Sequence, residues 1–337
     1  MTETGRGAVV FGLDGPGLGR DEAAFFREAD PLGFILFARN VDTPDRLHRL
    51  TSDLRASVGR DAPVFVDQEG GRVQRLRAPH WAEWLPPLDA VMRAGAGAAR
   101  MLWLRGRLIA AELRAVGIDA NCAPTLDLVT PATHAFLRNR CLGSDPGTVA
   151  ALGRALARGL MAGGVIPVVK HMPGHGRADA DTHLNLPTVD TDIETLESTD
   201  FAPFAALADL PAAMTAHVVF SAVDDRPATC SASVIRLIRE RIGFGGLLLS
   251  DDLGMEALTG SLPERAAAAR AAGCDIALHC KGTLAERAAV AEAAGVMSDE
   301  TRACAALALA LRREGEPADL PALRAEHERL MRAMADG

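Results

Sequence analysis

The chain has 337 residues, of which 48% are hydrophobic, with a formal net charge of −8 and a pI near 5.6. It contains no basic run, so we expect neither nucleic acid nor an anionic membrane as a partner. No apolar stretch approaches the roughly 20 residues of a membrane span, and no signal-peptide pattern follows the short polar start. With six cysteines and no CxxC pair, these features predict a cytoplasmic, monomeric protein with reduced thiols.

Short apolar runs alternate with amphipathic segments along most of the chain. Parallel strands that are buried on both faces have this nearly uniform apolar composition. The predicted strands are residues 8–13, 33–37, 63–66, 117–123, 165–169, 212–218, 246–249 and 275–278. The predicted helices are residues 21–29, 43–58, 88–116, 145–162, 193–207, 231–242, 262–272 and 284–294. Two of these helices have typical starts, Thr43-Pro44-Asp45 and Ser144-Asp145-Pro146.

Eight strands alternating with eight helices predict an α/β fold, the (β/α)8 or TIM barrel. An open doubly wound sheet is the alternative, but the first strand is followed by no GxGxxG turn. Two more helices, residues 299–313 and 320–334, are predicted to pack on the outside of the barrel. Without an internal repeat or a long linker, residues 1–337 are expected to form one domain whose C-terminal helices begin at about residue 298.

Polar residues follow the carboxyl ends of several predicted strands. In a (β/α)8 barrel these ends meet on one face, which is where active sites lie. The sequence therefore predicts an active site at that face. The converging residues are Asp67, Gln68, Glu69, Asp127, Lys170, His171, His217, Ser250, Asp251 and Asp252.

The segment KHMPGHGRADADTHLNLP, residues 170–187, is the most polar of these regions. Its prolines and glycines predict a loop leaving the fifth strand rather than a core element. Lys170 is one of two lysines in an arginine-rich chain, which suggests a need for a compact ammonium group. Asp181 precedes His183 by two residues and can fix its tautomer, so the pair is a candidate general acid/base unit. An ordinary surface histidine is the alternative.

Asp251 ends the seventh predicted strand at the same face of the barrel. A carboxylate held there can act as a nucleophile or as an electrostatic stabiliser. The alternative role is the N-cap of a following helical segment, residues 255–258, which suits Asp252 well.

A second polar loop, DQEGGRVQR, follows the third strand, and its two glycines allow close backbone approach. Asp67 can accept hydrogen bonds from vicinal hydroxyls, and Arg75 can donate to ring substituents. Arg72 and Glu69 are interpreted as a structural ion pair. Arg140 is a further candidate donor.

A divalent-metal site is the alternative chemistry at this face. The spacing of its potential ligands matches no familiar zinc pattern such as HExxH, and Lys170 would place a positive charge beside the ion. We therefore expect no metal and no other cofactor. The potential ligands are His171, His175, His183, Asp181 and Asp251.

Three motifs in this order resemble those of the bacterial glycoside hydrolase family 3 β-N-acetylglucosaminidases. KHMPGHG with DTH is similar to the family's KHFPGHG…DSH, DQEGGRVQR to DxEGGRVxR, and SDDLGM to SDDLxM. The resemblance covers roughly residues 6–295 and is closest to the single-domain cytoplasmic form that recycles cell-wall fragments. Met172, Thr182 and Gln68 are modest departures, and the stretch around Arg140 is a looser match.

The resemblance implies a retaining exo-β-N-acetylglucosaminidase, a β-N-acetylhexosaminidase that removes terminal N-acetylglucosamine from peptidoglycan fragments (muropeptides). It implies Asp251 as the nucleophile of a glycosyl-enzyme intermediate, and His183 with Asp181 as the acid/base dyad. The implied sugar-binding residues are Asp67, Arg75, Arg140, Lys170 and His171.

A histidine dyad departs from the two-carboxylate rule of retaining glycosidases. Neutral His183 would not repel an anionic acceptor, so phosphate could compete with water in the second step. The alternatives are a phosphorolytic or β-glucosidase member of the same family, a metal-dependent hydrolase on the same barrel, and a sugar-binding barrel without catalysis.

Overall fold

A computed structural model describes residues 4–178, 185–312 and 315–332 of the chain. Eight parallel strands form a closed barrel in which each strand pairs with the next and the eighth pairs with the first, which confirms the predicted fold. The strands are β1 (Gly7–Gly12), β2 (Pro31–Leu36), β3 (Val64–Val66), β4 (Ala120–Asn121), β5 (Ile166–Met172), β6 (Ala212–Thr215), β7 (Leu247–Asp252) and β8 (Ile276–His279).

Helices alternate with these strands and surround the barrel. None of the described helices combines the length and the apolar composition that a membrane crossing requires. The α-helices are α1 (Arg20–Ala29), α2 (Pro44–Val58), α3 (Pro87–Ala94), α4 (Ala98–Ala115), α5 (Ala135–Arg138), α6 (Pro146–Ala162), α7 (Ile193–Ser198), α8 (Ala202–Ala206), α9 (Ala232–Glu240), α10 (Leu262–Ala272), α11 (Leu284–Ala294), α12 (Asp299–Leu309) and α13 (Leu320–Arg332). Short 3-10 helices cover Ala38–Asn40, Gly95–Gly97 and Ala228–Cys230.

Two of the predicted helix starts have the expected capping geometry. The Thr43 side chain accepts a hydrogen bond from the Arg46 amide, and the Asp145 side chain accepts one from the Thr148 amide. A proline follows each cap in the first turn, where its missing N–H leaves no donor unpaired. These local signals therefore place the starts of α2 and α6 correctly.

Two predicted helices are broken in the structure. The predicted helix 88–116 is divided into α3 and α4 at Gly95, whose φ of 51° is incompatible with a right-handed helix. The predicted helix 193–207 is divided into α7 and α8, because Pro203 has no N–H to donate to the carbonyl of Thr199.

Several predicted strands differ in length from the observed ones. β4 begins only at Ala120, because the chain first turns at Gly117 with a φ of 76°. β6 ends at Thr215, and Val219–Phe220 pairs instead with Thr188–Val189 in a small parallel sheet outside the barrel.

The barrel interior is filled by an apolar cluster of inward-facing strand residues, to which α12 contributes Ala305, Ala308 and Leu309. The Thr301 hydroxyl donates to Asp275, just before β8, so α12 lies at the N-terminal end of the barrel. The small residues of its apolar face allow α12 to pack closely there. The last helix, α13, packs against α3 and α4 in the outer layer.

Candidate active site

A cavity of about 290 Å³ opens at the carboxyl ends of the strands, the face at which the sequence places the site. Its described walls combine charged groups with two phenylalanines, Phe37 and Phe136, which the sequence analysis did not single out. The predicted residues that line it are Asp67, Arg75, Arg140, Lys170, His171 and Asp251.

The polar segment predicted to be a loop begins inside a buried strand. Lys170 and His171 belong to β5 and are only 2% and 5% exposed. Burial of such groups is tolerated only when charges and hydrogen bonds are satisfied. The prediction of a loop from residue 170 is therefore wrong for Lys170 and His171. Both are kept in the strand by charged side chains that are distant in sequence.

Lys170 is held between two carboxylates that follow β3. Its Nζ lies 2.8 Å from Asp67 Oδ1 and 2.6 Å from Glu69 Oε1. Burial lowers the pKa of Lys170, but the two carboxylates raise it by a larger amount, so the net shift is upward. Burial likewise raises the pKa of Asp67, whereas Lys170 and Arg75 lower it well below the usual range. Both groups are therefore ionised at neutral pH.

Glu69 also forms a bidentate ion pair with Arg140, with both N–O distances at 2.9 Å. The predicted pair of Glu69 with Arg72 is wrong. The Arg72 guanidinium instead lies over the Phe136 ring, 3.8 Å from its centroid, and donates to the Phe136 carbonyl. The antiparallel hairpin of Gln68–Gly70 and Val73–Gln74 turns Glu69 inward, toward residues that are distant in sequence.

Asp127 orients His171, a role the sequence analysis did not assign. Its fully buried carboxylate lies 2.7 Å from His171 Nδ1 and also accepts the backbone amide of His175. A carboxylate at Nδ1 keeps the proton of a neutral imidazole on that nitrogen, so that Nε2 is a hydrogen-bond acceptor. The Nε2 atom lies 3.5 Å from Arg140 Nη2. The position of Asp127 just after β4 is the signal that could have identified it.

Asp251 lies half-buried at the end of β7, on the wall of the cavity. Its Oδ1 accepts the amide of Asp252 at 2.8 Å, and its Oδ2 has no hydrogen-bond partner among the described residues. Burial raises the pKa of Asp251, but His217, His171 and Lys170 lower it more, so the net shift is downward. The site thus presents an ionised carboxylate with a free oxygen.

Asp252 does not cap a helix, because the residues after β7 form turns rather than the expected helical segment. Its Oδ1 accepts the amides of Gly254 and Cys280, each at 3.0 Å, and so ties the end of β7 to the end of β8. His217, which is buried, lies with Nε2 3.0 Å from the Asp252 carbonyl oxygen. Both residues support the strand end that carries Asp251.

The two residues of the predicted acid/base dyad, Asp181 and His183, lie outside the described residues. Their placement relative to Asp251 stays a prediction. Within residues 4–178, 185–312 and 315–332, no three His, Cys, Asp or Glu side chains are grouped in a way that could hold a metal ion. The cysteines of that part of the chain are free thiols.

Known proteins are similar to this chain in sequence and in architecture. The family model of the glycosyl hydrolase family 3 N-terminal domain matches residues 21–310. Curated relatives named β-hexosaminidase include one from Methylococcus capsulatus, 40% identical over 80% of this chain and 82% of its own length. Another, from Alkalilimnicola ehrlichii, is 39% identical over 81% of this chain and 80% of its own length.

Solved structures agree with this grouping. NagZ from Neisseria gonorrhoeae has a TM-score of 0.82 and 30% identity, covering 100% of this chain and 99% of its own. That protein is also known in complex with N-trifluoroacetyl-D-glucosamine and with zinc ion. A family 3 β-N-acetylglucosaminidase from Paenibacillus has a TM-score of 0.84 and 29% identity, covering 98% of this chain and 67% of its own. The chain therefore belongs to glycosyl hydrolase family 3, among its β-hexosaminidase members.

Proposed function

We propose that this protein is a retaining exo-β-N-acetylglucosaminidase that uses Asp251 as its nucleophile and His183, paired with Asp181, as its acid/base group. The observation that carries the proposal is the Asp251 carboxylate, which is ionised, has a free oxygen and lines a cavity with charged, hydrogen-bonding side chains. Its finer part, a cytoplasmic role on muropeptides, is supported by the resemblance of the three motifs to cell-wall recycling enzymes.

The opposite wall of the cavity suits the hydroxyl groups of a sugar ring. Asp67 is an acceptor held by Lys170 and Arg75, so its lone pairs are already oriented when a sugar arrives. Arg75 lies over the Phe37 ring, 5.2 Å from its centroid, which limits the rotation of its guanidinium. Preorganised donors and acceptors of this kind lose little entropy on binding.

The chemistry then proceeds in two steps. Asp251 attacks the anomeric carbon while the acid/base group protonates the departing oxygen, and a covalent glycosyl-aspartate forms. Water, activated by the same acid/base group, then releases the sugar with its original anomeric configuration. The downward pKa shift of Asp251 keeps the nucleophile ionised throughout the neutral range.

The size of the cavity favours release of single sugars. About 290 Å³ is near the lower end of the roughly 300–1,000 Å³ that small-molecule sites occupy. Such a volume suits one terminal N-acetylglucosamine ring rather than a continuous chain, which supports an exo-acting enzyme.

The decisive experiment traps the covalent intermediate. A ring-fluorinated N-acetylglucosaminyl fluoride should label the wild-type protein once, and peptide mass spectrometry should place the label on Asp251. Asp251→Asn should take up no label. A label on another residue, or turnover with inversion of configuration, would overturn the proposal.

Assays of turnover and of sugar binding separate the alternatives. Turnover of p-nitrophenyl glucoside that exceeds that of the N-acetylglucosaminide would favour a β-glucosidase. Phosphate that redirects the product to a sugar phosphate would favour a phosphorylase. Loss of turnover on chelation would favour a metal-dependent hydrolase. Sugar binding without any turnover would favour a binding protein.

A further inference from the structure

A second cavity, of about 400 Å³, lies outside the barrel where α13 crosses α3 and α4. It shares no described lining residue with the active-site cavity. The part of its wall that carries the inference consists of Trp84, Arg93, Arg105, His327 and Met331.

Arg105 is a buried cation whose hydrogen bonds go to backbone carbonyls and not to a carboxylate. It is 1% exposed, and no carboxylate of the described residues forms a salt bridge with it. Its Nη2 donates to the carbonyls of Glu69 and Leu85, while its Nε has no hydrogen-bond partner. Burial lowers the pKa of Arg105 and the nearby Glu69 carboxylate offsets part of this, so the pKa is about 10 and the group is charged at neutral pH. Glu69 is already paired with Arg140 and Lys170, so a further anion beside Arg105 would be stabilising.

The carboxylates of this cavity do not supply that anion. Glu83 is paired with Arg77 at 2.9 Å, and Glu328 with Arg332 at 3.5 Å. Arg93, on α3, is exposed and has no charged partner among the described residues. The cavity therefore has an excess of positive charge at neutral pH.

The rest of the wall includes two aromatic rings and several apolar side chains. The rings of Trp84 and His327 meet edge to face with their centroids 5.2 Å apart. Burial, together with Arg105 and Arg324, lowers the pKa of His327 to about 4, so its ring is neutral. Met331 and Leu108 complete this side of the cavity. Such a surface suits a planar or apolar body next to a charged group.

We propose that this cavity binds a small organic carboxylate with a flat apolar body. The carboxylate would face Arg93 and Arg105, whose guanidinium groups match it in charge and geometry. The body would pack against Trp84, His327 and Met331.

Fluorine NMR with para-fluorobenzoate tests the proposal, and para-fluorobenzamide serves as the uncharged probe of the same shape. Wild-type protein should bind the benzoate saturably and the benzamide at least roughly tenfold more weakly, as loss of a charge-assisted contact predicts. Arg93→Gln should weaken benzoate binding by a similar factor. Met331→Trp, which fills the cavity, should abolish it.

Two control variants test whether benzoate binds at this cavity. Arg236→Gln makes the same change at an exposed position on α9 and should leave binding unchanged. Arg75→Gln changes the active-site cavity and should also leave it unchanged. Absence of saturable binding, equal binding of the two probes, insensitivity to Arg93→Gln and Met331→Trp, or loss of binding in Arg75→Gln would each overturn the proposal.

Discussion

The two sides of the active-site cavity differ in how firmly their charged groups are held. On the side of β3 and β5, Lys170 is in contact with two carboxylates, and one of them forms a bidentate pair with Arg140. On the side of β7, Asp251 accepts one hydrogen bond among the described residues, from the adjacent amide. Groups that orient a sugar benefit from rigid support, whereas a nucleophile needs an oxygen that is free to form a bond. The difference supports the proposed division of roles, with binding on the first side and chemistry on the second.

The largest expected effect on catalysis comes from Asp251, on the β7 side of the cavity. Asp251→Ala should lower kcat by at least on the order of 10⁴-fold, because the covalent step is lost. The free energy of unfolding should change by less than about 1 kcal/mol, since few contacts are removed. Steady-state kinetics and urea unfolding measure the two quantities, and Asp53→Ala, an exposed carboxylate on α2, is the control.

Azide sharpens this test, because a small anion can occupy the space left by the carboxylate. It should restore part of the turnover of Asp251→Ala and give a glycosyl azide of inverted configuration. Restored turnover that gives the ordinary product would show that Asp251 supports another nucleophile.

The opposite pattern is expected on the firmly held side. Glu69→Gln should destabilise the protein by about 3 kcal/mol, because it leaves Arg140 and Lys170 short of a buried counter-charge. It should also raise KM, since both cations line the sugar cavity. Glu83→Gln, which breaks an exposed pair with Arg77, should change stability by less than about 1 kcal/mol. Equal effects of the two changes would contradict the comparison.

Acid unfolding of the same variant tests the electrostatic argument. Burial raises the pKa of Glu69, but Arg140 and Lys170 lower it more, so the folded pKa lies below the unfolded value of about 4.3. The stabilisation is therefore present above about pH 4.3 and is lost as the pH falls through the folded pKa. Unfolding free energies measured from pH 6 down to pH 3 should fall less steeply for Glu69→Gln than for the wild type.

The smallest of these effects concerns Asp127. Asp127→Asn removes the charge that keeps the proton on His171 Nδ1, so His171, which lines the cavity, would adopt the other tautomer part of the time and direct a proton on Nε2 at Arg140. One weakened hydrogen bond of about 1.4 kcal/mol corresponds to roughly a tenfold loss in kcat/KM. The loss should appear mainly in KM. A change in kcat alone would assign His171 to the chemical step.

The sequence predicted those features that depend on local or periodic patterns. Apolar runs of strand length identified the barrel, and Thr43 and Asp145 located helix starts correctly. The periodic pattern does not show where a proline or glycine divides a helix, as Pro203 divides the predicted helix 193–207. The barrel topology also explains why polar residues at separate strand ends converge on one cavity.

The partners of buried charges could not be predicted in this way. Pairing Glu69 with Arg72 followed their proximity in sequence, whereas the actual partners, Arg140 and Lys170, are distant along the chain and adjacent only in the closed barrel. For the same reason the sequence predicts a loop at Lys170, because the polarity of this residue is visible in the sequence and its counter-charges are not.

The position of α12 has a consequence for the order in which products leave. This helix packs into the N-terminal end of the barrel, so in the proposed mechanism the departing group and the sugar would share the opening at the opposite end. Water would then reach the covalent intermediate only after the departing group had gone, and the free sugar would leave last. N-acetylglucosamine should consequently inhibit competitively, and a short-chain alcohol present at the opening should intercept the intermediate and give an alkyl glycoside.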